Sequence, residues 1–361
     1  MLHFAALIGV PEHGAEITPV EPETDHTGVG NRKPTMKYFT RTALLVAPFM
    51  ATQAFASDLT IYTYDSFNSE WGPGPQLEKA YEAHCQCDIE FISVDDGVSI
   101  LNRARIERTS TKADVLLGLD ESLMKAAKAE ELVQTHNTDL SGLTQALSWD
   151  DNTFVPFDYG YFAFIYNSET TPTPVSSLKA LVESDASVLY QDPRTSTPGQ
   201  GLLFWMNAVY QEDAAQAWSQ LAKHTVTVTK GWWEAYSMFL EGDADYVLSY
   251  TTSPAYHEVV DGTSKYKAAP FEEGHIRQVE VAAISAYSKR TEQANDFLAF
   301  LISPAAQSII PTTNWMLPVI DGVELPDAFD HLVTPKAVDV PLGDLIDHRS
   351  DFIKVWRTSA Q

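Results

Sequence analysis

Carboxylates, hydroxyls and aromatic rings concentrate in a few short segments of this chain. Residues 62–67 read YTYDSF, residues 95–98 DDGV and residues 192–199 DPRTSTPG. Trp232 and Trp233 follow Lys230 and Gly231, residues 249–256 read SYTTSPAY, and Asn314, Trp315 and Met316 stand between two prolines. Together these residue types suit a flat, cationic heteroaromatic ligand. An aromatic face attracts a cation by about 0.5–2 kcal/mol, and stacking of a base-like ring adds about 1–3 kcal/mol. One or two carboxylates would supply counter-charge. The hydroxyl-rich run ahead of a helix would offer free backbone N–H groups to an anion such as a phosphate. Each segment also has an ordinary reading. A lone Tyr or Trp is more often packing than binding, Asp95-Asp96-Gly97 is a helix-start and turn signal, and a Ser/Thr/Pro/Gly loop is a common helix cap. Those readings do not explain why all of these segments fall at strand ends or in loops.

The elements that must position them follow from periodicity. Residues 58–64 (DLTIYTY) read as a strand and residues 75–84 as a helix opened by proline. Residues 88–94 form a second strand, 98–106 an amphipathic helix, and 113–119 (ADVLLGL) a strand buried on both faces. Residues 121–129 are again helical. This alternation predicts a parallel sheet flanked by helices, with the carboxyl ends of its strands facing the ligand crevice. Phe154–Asn167 is too long for one ordinary strand, and a connector between two lobes would explain it. A second α/β unit follows. It has helices at 176–183, 201–210 and 233–240 and strands at 188–191, 225–229 and 246–250. Residues 279–284 (VEVAAI) are a candidate return crossing, ahead of helices at 291–301, 304–310 and about 341–356. The expected fold class is α/β, two-lobed, each lobe a mixed, mostly parallel sheet flanked by helices, joined by two crossing strands. Residues 57–158 and 275–361 form lobe 1 and residues 159–274 lobe 2.

Composition excludes some function classes. The chain has 361 residues, 24 Lys+Arg against 49 Asp+Glu, and a net charge of −25. Nucleic-acid binders need clustered cations, so no nucleic acid is an expected partner. The first 56 residues carry almost none of the net charge. Residues 1–35 read as a leader without structure or as an upstream start. Residues 36–56 have a methionine with a short basic region, an apolar stretch and Ala54-Phe55-Ala56, the order of a secretory signal peptide. The apolar stretch is shorter than the roughly 20 residues a spanning helix needs. An exported, periplasmic, soluble chain is therefore expected. The histidines after residue 57 show no metal-ligand spacing, so neither metal nor cofactor is expected.

At these residues the sequence resembles the periplasmic thiamine-binding proteins of bacterial thiamine ABC transporters. The stretches that carry the resemblance are YTYDSF from Tyr62, WGPGP from Trp71, DGVSILNR from Asp96, FVPFDYGYFAF from Phe154, YQDPRTSTPG from Tyr190, TVTVTKGW from Thr225, LSYTTSPAYH from Leu248 and NWMLPV from Asn314. It covers essentially residues 57–320 and weakens over the last forty. It implies a periplasmic binding protein type 2 fold, no enzymatic activity, and capture of thiamine, with its mono- and diphosphate, for a membrane permease and its ATPase. By motif, Tyr64, Trp232, Tyr250, Tyr256 and Trp315 would be the aromatic contacts. Asp96 would serve the aminopyrimidine or the thiazolium charge, and Ser196, Thr197 and Ser253 would face the hydroxyethyl or phosphate end. Trp71 and Asp158 are secondary candidates, and either Trp232 or Trp233 could face the ligand.

Cys85 and Cys87 flank Gln86 at a helix-to-strand junction. Export makes a bridge chemically possible, while a spacing of two closes a tight loop; both states are open. Rival readings are a thiaminase-like enzyme on the same fold, which would use a cleft cysteine, and a solute-binding protein for ferric iron or polyamines.

Overall fold

The computed structural model describes residues 57–338 and 342–360. Residues 1–56, on which the leader and signal-peptide expectations fall, lie outside the described residues. In chain order the strands are β1 Leu59–Tyr64, β2 Ile89–Val94, β3 Val115–Asp120, β4 Val133–Gln134, β5 Phe154–Asn167, β6 Val188–Gln191, β7 Thr225–Thr229, β8 Tyr246–Tyr250, β9 Tyr266–Ala268, β10 Arg277–Ser285 and β11 Leu317–Pro318. The helices are α1 Gly74–Cys85, α2 Gly97–Glu107, α3 Glu121–Ala129, α4 Leu178–Glu183, α5 Thr197–Tyr210, α6 Ala214–Leu221, α7 Trp232–Glu241, α8 Ser253–Val259, α9 Thr291–Leu301, α10 Pro304–Gln307, α11 Ile310–Thr313, α12 Leu342–Asp347 and α13 Arg349–Ser359.

The strands follow the order β2-β1-β3-β10-β5-β8-β6-β7. The outer pairs β1–β2, β1–β3, β6–β7 and β6–β8 are parallel, and the pairs around β5 and β10 are antiparallel. Long β5 serves both halves. Its first part pairs with β10 as far as Tyr161, and from Phe162 onward it pairs with β8. The return runs beside it: the Phe162 N–H donates to the Ile276 carbonyl at 3.0 Å, just before β10 begins.

Each half has its own core. The first gathers Leu59, Ile61, Val115, Leu117, Phe154, Val155, Phe157, Val281 and Phe297. In the second half β5 is sandwiched. Phe162, Phe164 and Tyr166 point to a core with Trp205, Trp218 and Tyr246, while Ala163 and Ile165 point to one with Leu189, Tyr236 and Phe239. Strict alternation with both faces apolar is what a strand covered on both sides requires. Each fully buried Phe or Leu contributes about 1.5–3 kcal/mol.

Two expectations need correction. Helix α5 starts at Thr197 rather than 201, because Ser196 caps it and Pro198 fits its first turn. The C-terminal segment does not all join the first half. Val319 is still in the first core, but Asp327–His331, a short 3-10 turn, packs on α8, and α13 packs on α5 and α6. The reason is the apolar stripe of α13: Phe352, Ile353 and Trp356 join the second core, and Trp356 Nε1 donates to the Tyr190 hydroxyl at 3.2 Å. The chain thus passes between the halves three times: along β5, back before β10, and again between residues 320 and 327.

Candidate functional site

The strand ends and helix starts of the two halves meet at Asp96. This residue ends the loop after β2 and caps α2, its Oδ1 accepting from the Gly97 N–H at 2.6 Å. The same oxygen accepts from the Thr197 N–H at 3.3 Å and the Thr197 hydroxyl at 3.4 Å, and Oδ2 accepts from the Trp232 N–H at 3.2 Å. Gly97, Thr197 and Trp232 are the first residues of α2, α5 and α7. Three helix N-termini therefore converge on one carboxylate, each presenting its positive dipole end. Burial nonetheless pushes the Asp96 carboxyl up to about 6, against the lowering effect of those donors. Neighbouring contacts join the same two halves: the Ser99 N–H donates to the Thr195 carbonyl at 3.1 Å, and Asn102 Nδ2 to the Arg194 carbonyl at 3.2 Å.

Three of the expected site residues lie in this arrangement. Asp96, expected to serve the aminopyrimidine or the thiazolium charge, accepts from three backbone N–H groups and the Thr197 hydroxyl. Thr197 gives its hydroxyl to Asp96. Ser196, fully buried, caps α5 by accepting from the Gly199 N–H at 3.4 Å. For Asp96 and Ser196 the ordinary helix-start reading describes what is seen.

The aromatic residues fall around this junction. Trp232 Nε1 donates to Ser249 Oγ at 2.8 Å, and Ser249 Oγ lies 2.8 Å from Ser253 Oγ. The Trp232 ring stacks on Tyr236 with centroids 4.8 Å apart, and the Tyr236 hydroxyl meets His257 Nε2 at 2.8 Å. His257 Nδ1 in turn meets Asp261 at 2.7 Å, so a hydrogen-bonded chain fixes the wall that carries Trp232. Between the two adjacent tryptophans the division is clear. Trp232 is partly buried with its ring 6.3 Å from Trp71 of the first half, while Trp233 is 44% exposed and lies closer to Trp71, centroids 4.8 Å apart.

Ser253 also accepts from the Tyr250 N–H at 3.2 Å, which ties the tryptophan wall to the floor. The Tyr250 hydroxyl donates to Gln278 Oε1 at 2.7 Å, and Gln278 Nε2 to Asp120 Oδ2 at 3.3 Å. The Tyr64 hydroxyl donates to Glu280 Oε2 at 2.7 Å and accepts from Asn314 Nδ2 at 3.1 Å. Asn314 also donates to Asp158 Oδ2 at 2.7 Å. The adjacent Trp315 sits at φ 56, a left-handed conformation that costs a non-glycine residue about 1–3 kcal/mol and is concentrated at functional sites. Its ring meets Tyr256 edge-on, centroids 5.5 Å apart.

Sequence reading missed Glu280, Gln278, Asp120 and Ser249. Glu280 had a signal: it is the one charge inside the apolar run 279–284. Ser249 stands in the hydroxyl-rich run 249–256, and Asp120 and Gln278 meet each other only through the pairing of β3 with β10. Cys85 and Cys87 are disulfide-bonded to each other. They line a surface depression with Asp58, Tyr81, His84, Glu292, Gln293 and Asp296, which contains none of the site residues.

A family model for bacterial extracellular solute-binding proteins matches residues 74–312. A thiamine-binding periplasmic protein of Escherichia coli (strain K12) is 52% identical over 302 residues, covering 83% of this chain and 92% of the relative. One from Haemophilus influenzae is 45% identical over 332 residues, covering 90% and 99%. A solved structure of a periplasmic thiamin binding protein is 51% identical and superposes with a TM-score of 0.82, covering 84% of this chain and 96% of its own. No helix among the described residues is long and apolar enough to cross a membrane. The chain has the two-lobed periplasmic binding protein type 2 fold, and it belongs to the bacterial extracellular solute-binding protein family.

Proposed function

We propose that this protein captures thiamine between its two halves in the periplasm and delivers it to the permease and ATPase of an ABC importer. The observation that supports the reading is the hydrogen-bonded set that links aromatic side chains of both halves to buried carboxylates and hydroxyls. In this reading Tyr64, Tyr250, Tyr256, Trp232 and Trp315 would wall a floor of Asp158 and Glu280, which suits a flat heteroaromatic cation. The thiamine-binding relatives give that cation its name. The halves act as lobes that close on the ligand, with β5, the return before β10 and residues 320–327 as hinge segments. Trp71 and Trp233 stand at the mouth as a closing pair. The hydroxyls of Thr197 and Ser253 border the end at which the hydroxyethyl group or its phosphates would lie.

Isothermal titration with thiamine, its monophosphate and its diphosphate tests the reading. Saturable binding of at least one of them at a one-to-one ratio is the expected result. No heat with any of the three refutes it. Cleavage of thiamine in the presence of an added nucleophile would replace transport with an enzymatic role, and a coloured tyrosine complex on iron addition would replace the ligand.

A further inference from the structure

Strands β5 and β10 place Asp158 directly opposite Glu280 in antiparallel register. Both are buried, Asp158 completely. Like charges directly opposite on neighbouring strands repel, and burial strengthens that repulsion. The groups packed on the pair do not cancel it. From β1 comes the neutral Tyr64 hydroxyl, and from the loop after α11 comes the neutral Asn314 amide. From β8 comes Tyr250, bonded to Gln278 on β10 itself. The remaining titratable neighbours are carboxylates: Asp96 before α2 and Asp120 at the end of β3 both push Glu280 further toward its neutral form. The nearby cation Arg349 bears on Asp120. Among the described residues neither Asp158 nor Glu280 has a lysine or arginine within ion-pair distance. Asp158 Oδ1, fully buried, receives no hydrogen bond from any donor of the described residues. A buried carboxylate oxygen without a donor and a second carboxylate beside it call for a positive charge.

We infer that Asp158 and Glu280 hold one proton between them in the empty protein and release it when a cationic ligand enters, so that the pair becomes the ligand's counter-charge. The balance is simple. The O–H bond shared by the pair breaks, its proton leaves to bulk water, and the positive charge of the ligand replaces it. Burial raises the Asp158 carboxyl to about 7 and holds Glu280 well above the usual carboxylate range, in keeping with one shared proton at neutral pH. The inference rests on the thiamine reading and adds to it a discrimination mechanism: a neutral aromatic of the same shape leaves the proton in place and gains no counter-charge.

The test is calorimetry of thiamine binding in phosphate, HEPES and Tris at one pH near 7, repeated from pH 6.5 to 8. Thiamine is used rather than its phosphates, because a phosphate ester titrates near pH 6 itself. The expected result is a binding heat that differs between buffers in the sense of proton release, approaching one proton per thiamine. Affinity should rise with pH by up to about tenfold per unit. Glu280→Gln, and independently Asp158→Asn, should abolish the release and flatten the pH profile. Identical heats in the three buffers with a flat profile overturn the inference while leaving thiamine binding intact. Unchanged proton release in both variants overturns the assignment to this pair. Failure of the wild-type protein to bind thiamine at any pH overturns the transport reading and this inference with it.

Discussion

The carboxylate of Asp96, in the first half, accepts a hydrogen bond from the backbone N–H of Trp232, in the second, at 3.2 Å. The other oxygen is shared by Gly97 and Thr197. One side chain thus satisfies orphan donors of three helices and ties the halves together. Asp96→Ala leaves those donors without their acceptor, a cost of about 1–3 kcal/mol. Thiamine should dissociate at least tenfold faster from this variant in stopped-flow measurements. The vacated convergence of N-termini should also shift preference toward the diphosphate relative to thiamine. An unchanged off-rate and an unchanged ligand ranking would refute this role.

The pair Trp71–Trp233 is a second tie across the mouth. Aromatic pairs contribute about 0.5–1.5 kcal/mol beyond burial. Trp233→Ala should raise the thiamine off-rate about 2- to 12-fold, with the unfolding midpoint little changed, since the ring is half exposed. Trp232→Ala should cost more, because it also removes the Nε1 bond to Ser249. Equal effects of the two substitutions would contradict the inside–outside division of these rings.

Tyr256 and Trp315 separate pocket from core. Each alanine variant should bind thiamine more than tenfold more weakly, about 1.4 kcal/mol, at nearly the wild-type melting temperature. Calorimetric titration paired with a thermal melt decides it. Loss of folding with unchanged affinity per folded molecule would make both rings core residues.

The buried carboxyls also set a pH dependence of stability. Asp158 is raised to about 7 and Asp120 to about 6, chiefly by burial. A carboxyl raised in the folded state binds its proton more tightly there than in the unfolded chain. Its contribution is full below the ordinary range near 4 and is lost as pH rises through the folded value. Buried His257 and His275 are lowered, so their opposing effect falls below about 6.5. Between pH 6.5 and 8 the ligand-free protein should therefore become less stable as pH rises, and Glu280→Gln should reduce that slope. Scanning calorimetry that finds equal midpoints at both ends of this window would sink the prediction.

Trp356 should matter for folding and not for the ligand. Its ring fills the second core, with the Tyr190 hydroxyl on its indole N–H. Trp356→Ala should lower unfolding free energy by about 3–5 kcal/mol while the folded fraction keeps its thiamine affinity within about twofold. Denaturant titration with and without thiamine measures both.

Much of the scaffold was legible because it is local. The alternation along β5, the apolar run of β3 and the capped helices all follow from spacing over a few residues. So do the positions of the aromatic and hydroxyl segments at strand ends and helix starts. Roles set by distant partners were not legible. Asp158 is one acid in FVPFDYG and Glu280 one acid in VEVAAI, and nothing in either stretch says that antiparallel register sets them side by side. The apolar stripe of α13 predicts burial but not which core it covers, because either half presents a suitable face. Asp96 shows the converse. Its helix-start signal is local, and the cap on α2 is seen as read.

The third passage of the chain between the halves starts a few residues beyond Trp315. That ring touches Tyr256 on one side and stacks on Phe329, 6.4 Å away, within the segment that has already crossed. Trp315 itself stands between α11 and β11 on the first half, and its ring reaches across to Tyr256 and Phe329 on the second. Each opening and closing stroke must change the surroundings of its indole, so the emission of this one tryptophan would serve as a built-in optical gauge of the transport cycle.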